Sequence, residues 1–190
     1  EQLELISNAI SSKGTPSIAK ELAEKTYQLL EKTKRAPTSA MLKQLANCWP
    51  LNPVCAISLG PISRRSYGQN QRSIFSFLTS GEPLGLRDFV NRTFSETNSL
   101  YSIADLWDYL ELNWGSAISV SGDSHHFANV RDALSRLETM EEARPEHQLI
   151  LKAISICRVS LKKQWPVHCH RNSAPDLPRI CSGSFQKNSR

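Results

Sequence analysis

Between Ile103 and Trp114 the apolar residues Ile103, Leu106, Trp107, Leu110 and Trp114 fall at i, i+3, i+4, i+7 and i+11. That spacing is helical, because only a helix gathers such a set on one side. A strand would send alternate members to opposite faces. Ser102 with Asp105 three residues later has the form of a capping box, with the shorter acid in place of Glu, and marks where the helix starts. Gly115 marks an end of the helix or a weak point in it.

The same period recurs along the chain. Gln2–Ile10 carries Leu3, Leu5, Ile6 and Ala9 and reads as a short helix. Thr15 as cap and Pro16 at the first helical position announce a second one, which keeps Ile18, Ala19, Leu22, Ala23, Leu29 and Leu30 in register and ends near Arg35. Thr38 or Ser39 caps a third through Met41, Leu42 and Leu45, and it must stop before Pro50. Val54–Leu59, lying between prolines, reads as a short apolar helix or buried turn. From Gln69 to Leu78, Ile74, Phe75 and Leu78 share one side while Gln69, Arg72, Ser73 and Ser76 share the other. After a loop at Ser121–Ser124, Phe127, Val130, Leu134 and Leu137 space another helix, and Pro145 and Glu146 open a last one with Leu149, Ile150, Ala153 and Ile154. From Gly68 to Ile154 no stretch alternates as a strand does. The expected fold is all-α, an irregular multi-helix bundle with a poorly ordered C-terminal tail.

Charge divides the chain. Of its net +5, residues after Ile156 hold seven Lys or Arg against Asp176 alone, leaving 16 basic and 17 acidic residues in Glu1–Ile156. The body is neutral and the tail is basic. That tail also holds Pro166, Pro175 and Pro178 and no amphipathic period, so its own apolar area cannot offset the entropy of ordering it. It reads as a displaced reading frame or truncation scar, or else as a natural basic tail. The organisation expected is residues 1–47 as N-terminal helices, 48–156 as a helical domain and 157–190 as the tail. No window approaches the roughly 18 apolar residues of a membrane span. Five cysteines, an odd number without short paired spacing, fit a reducing cytoplasm. A chain that opens on Glu1 reads as processed or as a piece of something longer.

Trp49–Phe89 contains W-P-L-N-P, an apolar run, R-R, Q-N-Q-R-S-I-F-S-F-L and G-E-P-L-G-L-R-D-F in that order. These blocks resemble a pattern that follows the nucleotide-binding core in large prokaryotic P-loop ATPases of the AAA/STAND type, some of them in anti-phage and other conflict systems. There the usual forms are aromatic-P-L-H-P, Q-N-E-R-[ST]-L-F-x-F-L and E-P-x-G-[LF]-x-x-F. With the later helices the resemblance covers roughly Cys48 to Ile154. Asn52 replaces the usual His and Gln71 the usual Glu, so no imidazole or carboxylate role carries over at either position. The resemblance implies a partial chain, a helical region that couples nucleotide state to an effector protein or subunit. Residues 1–47 would then be the end of the ATPase module or its lid.

No G-x-x-x-x-G-K-[ST] occurs, and Lys13-Gly14-Thr15-Pro16 lacks the spacing that cradles phosphates. The resemblance implies ATP and Mg for a missing N-terminal core, and no cofactor is expected of this chain. By analogy with the ATPases, Arg72 is the nucleotide-sensing candidate, since a helix arginine beside the core can donate paired bonds to phosphate oxygens. The alternative for Arg72 is a solvated helix face. Gln69 and Asn70 either orient Arg72 or cap its helix. Arg64 and Arg65 are either contacts to phosphate or nucleic acid or a solvated turn.

Cys157, His168, Cys169, His170 and Cys181 lack the C-x2-C knuckle of a zinc site, and no metal is assigned. His125-His126 reads as a loop pair. Trp107, Tyr109 and Trp114 could stack on bases, but at helical spacing Trp107 and Trp114 read as core. His147 and Asp105 belong to no motif of nucleophile, base and orienting acid, so no independent active site is expected. The reading from a different class is a stand-alone helical module that binds protein or nucleic acid, the latter through its tail.

Overall fold

A computed structural model describes residues 2–10, 15–32, 37–65, 67, 74–93 and 99–161. They form α1 (Gln2–Ile10), α2 (Ser17–Glu31), α3 (Ser39–Asn47), α4 (Pro53–Ser63), α5 (Ile74–Thr79), α6 (Leu86–Arg92), α7 (Ile103–Ser119), α8 (Ser124–Thr139) and α9 (Pro145–Leu161). The all-α expectation holds, and among the described residues extended pairing is limited to one isolated parallel bridge, Leu51 with Tyr101. The tail from Lys162 onward lies outside the described residues.

α7 runs through the core. Its start is the expected capping box: Ser102 Oγ accepts from the Asp105 N–H, and Asp105 Oδ2 accepts from the Ser102 N–H at 2.7 Å. Its end is not Gly115, for the helix continues to Ser119. Ile118, fully buried one turn past Trp114, extends the apolar stripe and outweighs the roughly 1 kcal/mol that an internal glycine costs. Trp107 stacks on Phe127 of α8 with ring centroids 4.6 Å apart, and Phe77 of α5 meets Tyr101 and Tyr109 edge-on. These aromatics, with Trp114, are core rather than platforms for bases.

α4 is apolar on all sides and is correspondingly buried, with Pro53, Cys55, Ala56, Ser58, Leu59, Gly60 and Ile62 shielded from water. It runs longer than the expected Val54–Leu59, straight through Pro61, because that proline falls in the last turn where little helix remains to break. Asn52, the departure from His, caps it: Asn52 Oδ1 accepts from the Val54 N–H at 2.9 Å.

Three other boundaries differ from expectation. Pro16, not Thr15, takes the cap position of α2, with extended backbone and no side-chain cap bond. His125 and His126 lie in the first turn of α8 rather than in a loop. α9 extends through Leu161, past the expected body limit at Ile156, since Val159 and Ser160 continue its buried face.

Candidate functional site

α4 ends with two adjacent arginines that go opposite ways. Arg64 is the exposed C-cap of the helix. Arg65, one residue on, turns inward. Its Nη1 donates to Asp123 Oδ2 at 2.6 Å and to Oδ1 at 2.9 Å, while Nη2 donates to the Val159 carbonyl of α9. The Tyr67 hydroxyl donates to Asp123 Oδ2 at 3.2 Å. The side chains of Arg65 and Asp123 are 12% and 7% exposed, so this is a nearly dry ion pair. Such a pair is held by its full complement of hydrogen bonds, and losing one member leaves a charge stranded.

Asp123 stands at the N-cap of α8 but its carboxylate makes no cap bond, because it is turned to Arg65 and Tyr67. Tyr67 packs edge-on against Trp114 and Phe127. Burial first, and then the Asp123 charge, push its hydroxyl above the ordinary value of 10.0, with Arg65 opposing. The clamp thus joins the end of α4, the α7–α8 turn and the last turn of α9.

The second block, G-E-P-L-G-L-R-D-F, is also a set of fastenings. Glu82 Oε2 accepts from the Tyr109 hydroxyl at 2.5 Å, and Asn113 Nδ2 donates to the Pro83 carbonyl at 2.9 Å, both on α7. Leu84 adopts φ 61°, and its N–H donates to Asp88 Oδ2 at 2.9 Å. A Cβ on Gly85 would stand 3.0 Å from the Glu82 carbonyl oxygen, so the turn into α6 favours glycine there. The Tyr101 hydroxyl, 2.8 Å from the Leu84 carbonyl and 3.1 Å from that of Asp105, ties this turn to the start of α7.

Of the residues singled out in the sequence, Gln69, Asn70 and Arg72 lie outside the described residues, as do His168, Cys169, His170 and Cys181. Arg64 and Arg65 are placed, and the structure separates them: one faces water, the other closes the clamp. The Arg65 fork is directed at Asp123 and Val159, so its donors are taken within the bundle. Among the described residues no cluster of His, Cys, Asp and Glu is arranged to hold a metal ion.

Among the described residues, α8 and α9 are joined by a serine–histidine contact. Ser155 Oγ lies 2.8 Å from His126 Nε2, which is also 3.3 Å from the Ser155 carbonyl oxygen, so either ring tautomer finds a partner. Ser155 is 1% exposed in the middle of α9, which closes it to a substrate and makes the contact a fastening of α8 to α9.

Outside these contacts, α8 and α9 diverge around an apolar groove of about 400 Å³, lined by Ala133, Leu137, Met140, Ile150, Leu151 and Ile154. Arg136 and His147 stand at its rim. Comparison of the chain with protein-family models, with curated proteins and with solved structures returns no match.

Proposed function

We propose that this chain is a non-catalytic coupling region of a prokaryotic P-loop ATPase whose nucleotide-binding core lies outside it. The observation that carries the reading is the Arg65–Asp123–Tyr67 clamp. The Q-N-Q-R block begins two residues after Tyr67. A displacement of that block therefore pulls on a side chain fixed to Asp123, Trp114 and Phe127, and through Arg65 on the end of α9. Packed, hydrogen-bonded elements pass such a displacement on as a shift of whole helices.

In this reading Arg72 senses the nucleotide, Gln69 and Asn70 orient it, Arg64 meets phosphate, and the α8–α9 hairpin delivers the result to an effector protein or subunit. Support comes from the order of the sequence blocks and from the buried route that starts beside them. Sequencing the encoding DNA across about two kilobases on each side, room for several further domains, tests it first. An in-frame upstream P-loop is expected. Start and stop signals bounding the same 190 codons would overturn the reading and leave a helical binding module. In the protein that carries the P-loop, Arg72→Ala and Asp123→Asn should each weaken the response to ATP, and an unchanged response in both would remove the proposed route.

A further inference from the structure

Asp123 has two sets of hydrogen-bond donors within reach of one backbone rotation. It stands at the N-cap of α8, where a short acid is favoured because its oxygens accept first-turn N–H groups that no intrahelical carbonyl meets. The first turn of α8 carries no acid, and its two histidines leave the positive end of the helix dipole to Asp123. Yet the carboxylate makes no cap bond and is engaged with Arg65 and Tyr67. The backbone records the choice. Asn52 and Ser102, whose side chains do cap their helices, have ψ of 135° and 168°. Asp123 has ψ 1°, outside the extended range that capping uses.

The turn that leads into Asp123 is lightly held. The Asp123 N–H donates to Ser121 Oγ and the Ser124 N–H to the Ser121 carbonyl, each at 3.2 Å, the long end of hydrogen-bond range. A Cβ on Gly122 would meet nothing within 4 Å, so this glycine is free to take up a compensating rotation. The Asp123 carbonyl accepts from the Phe127 N–H at 3.1 Å, and an N-cap residue keeps that bond because its carbonyl opens the helical ladder. We propose that Asp123 is a two-position switch between the end of α4 and the start of α8. In the first position its carboxylate holds Arg65 and Tyr67. In the second, ψ of Asp123 turns to the extended range, the carboxylate caps the His125 or His126 N–H, and Arg65 keeps the Val159 carbonyl alone. The first position prevails because the second leaves the guanidinium short of a partner in a nearly dry site. Whatever draws Arg65 or Tyr67 away reverses that balance, and the α7–α8 turn moves with it. No nucleotide is involved, so the switch stands or falls apart from the ATPase reading.

Urea unfolding of the full chain and amide hydrogen exchange test it. Arg65→Gln removes the competing cation and sends Asp123 to the cap. Asp123→Ala added to Arg65→Gln should then shift the folding equilibrium about fivefold toward the unfolded state, the worth of one cap lost to alanine. A carboxylate fixed where it now lies would instead be stranded in the Arg65→Gln protein, and its removal would leave stability unchanged or raise it. Either of those results overturns the proposal. In the Arg65→Gln protein the amide proton of His125 or His126 should also exchange more slowly than in the wild type, by about the same fivefold factor. Unchanged exchange at both histidines overturns it as well. If Arg65→Gln fails to fold, Asp123→Ser compared with Asp123→Ala decides. Both strand the arginine, but serine caps a helix whose turn reaches the extended range, so its folding equilibrium should be about fivefold more favourable. Equal stability of the two overturns the switch.

Discussion

Ile154 and Ile156 are the same residue two positions apart on one helix, and they meet different surroundings. Ile156 is fully buried in the core, on the face where Lys152 Nζ donates to Asp108 at 2.9 Å and Ser155 meets His126. Ile154 is 60% exposed and stands over the outer groove. The inner face puts polar groups in the interior and satisfies them. The outer face puts apolar groups in water and leaves them there. Buried polar contacts are costly unless complete, so it is the inner face whose arrangement holds the bundle together.

The largest effect that would sharpen this contrast is on the inner side. Asp123→Ala strands the Arg65 guanidinium against α9, and the cost should be about 3–5 kcal/mol in urea-induced unfolding. A loss under about 1 kcal/mol would mean that water reaches the pair and that the clamp does not bind the helices together. Ile156→Ala should follow at about 2–4 kcal/mol, the toll of a cavity in a closed core. Ile154→Ala should change stability by no more than about 0.5 kcal/mol. Equal losses for the two isoleucines would erase the distinction between the faces.

The alkaline limb of stability gives a further test of how dry the inner side is. Burial pushes the Cys48 thiol up to about 12 and holds the Cys55 thiol well above its ordinary 9.0, and Tyr67 and Tyr101 are raised as well. In each case the folded state keeps a proton that the unfolded state releases more readily. Stability should therefore be intact below pH 9 and fall as pH rises from there toward 12, where Cys48 itself titrates in the folded state. A flat melting temperature between pH 8.5 and 10.5, read at roughly half-unit steps, would contradict the burial of these groups. Glu111 works in the acid range with the same sign. Desolvation raises it above 4.5 despite Arg131, so Glu111→Gln should favour the fold more at pH 7 than at pH 4.

What the sequence discloses is what can be settled within a few turns of helix. Ser102 and Asp105 are three residues apart and bond to one another, so the cap could be read directly. Trp107 and Trp114 share a stripe, and the stripe is buried. α6 was harder to see because it has seven residues and enters through a left-handed turn at Leu84, where the common signal would be glycine. Pro61 misled for the opposite reason, since its local meaning is a break but the surrounding burial of α4 overrides it. The different fates of Arg64 and Arg65 were not legible at all. Both sit at a helix end in a polar pair, and the partners of Arg65 lie 58 and 94 residues further along. Leu149, Ile150, Ala153 and Ile154 disclose the last helix, but which of them faces water is decided by the packing of α9 on α7 and α8.

Those separations bear on the order in which the molecule can be made. Arg65 is synthesised first, Asp123 follows 58 residues later, and the Val159 carbonyl that accepts from Nη2 comes 94 residues after the arginine. A chain interrupted before Val159 would have to surrender that N–H to solvent or leave it unmet inside the bundle. The guanidinium therefore registers whether the polypeptide has been completed as far as α9, and a prematurely stopped product would carry its defect in the middle of the fold rather than at its frayed end.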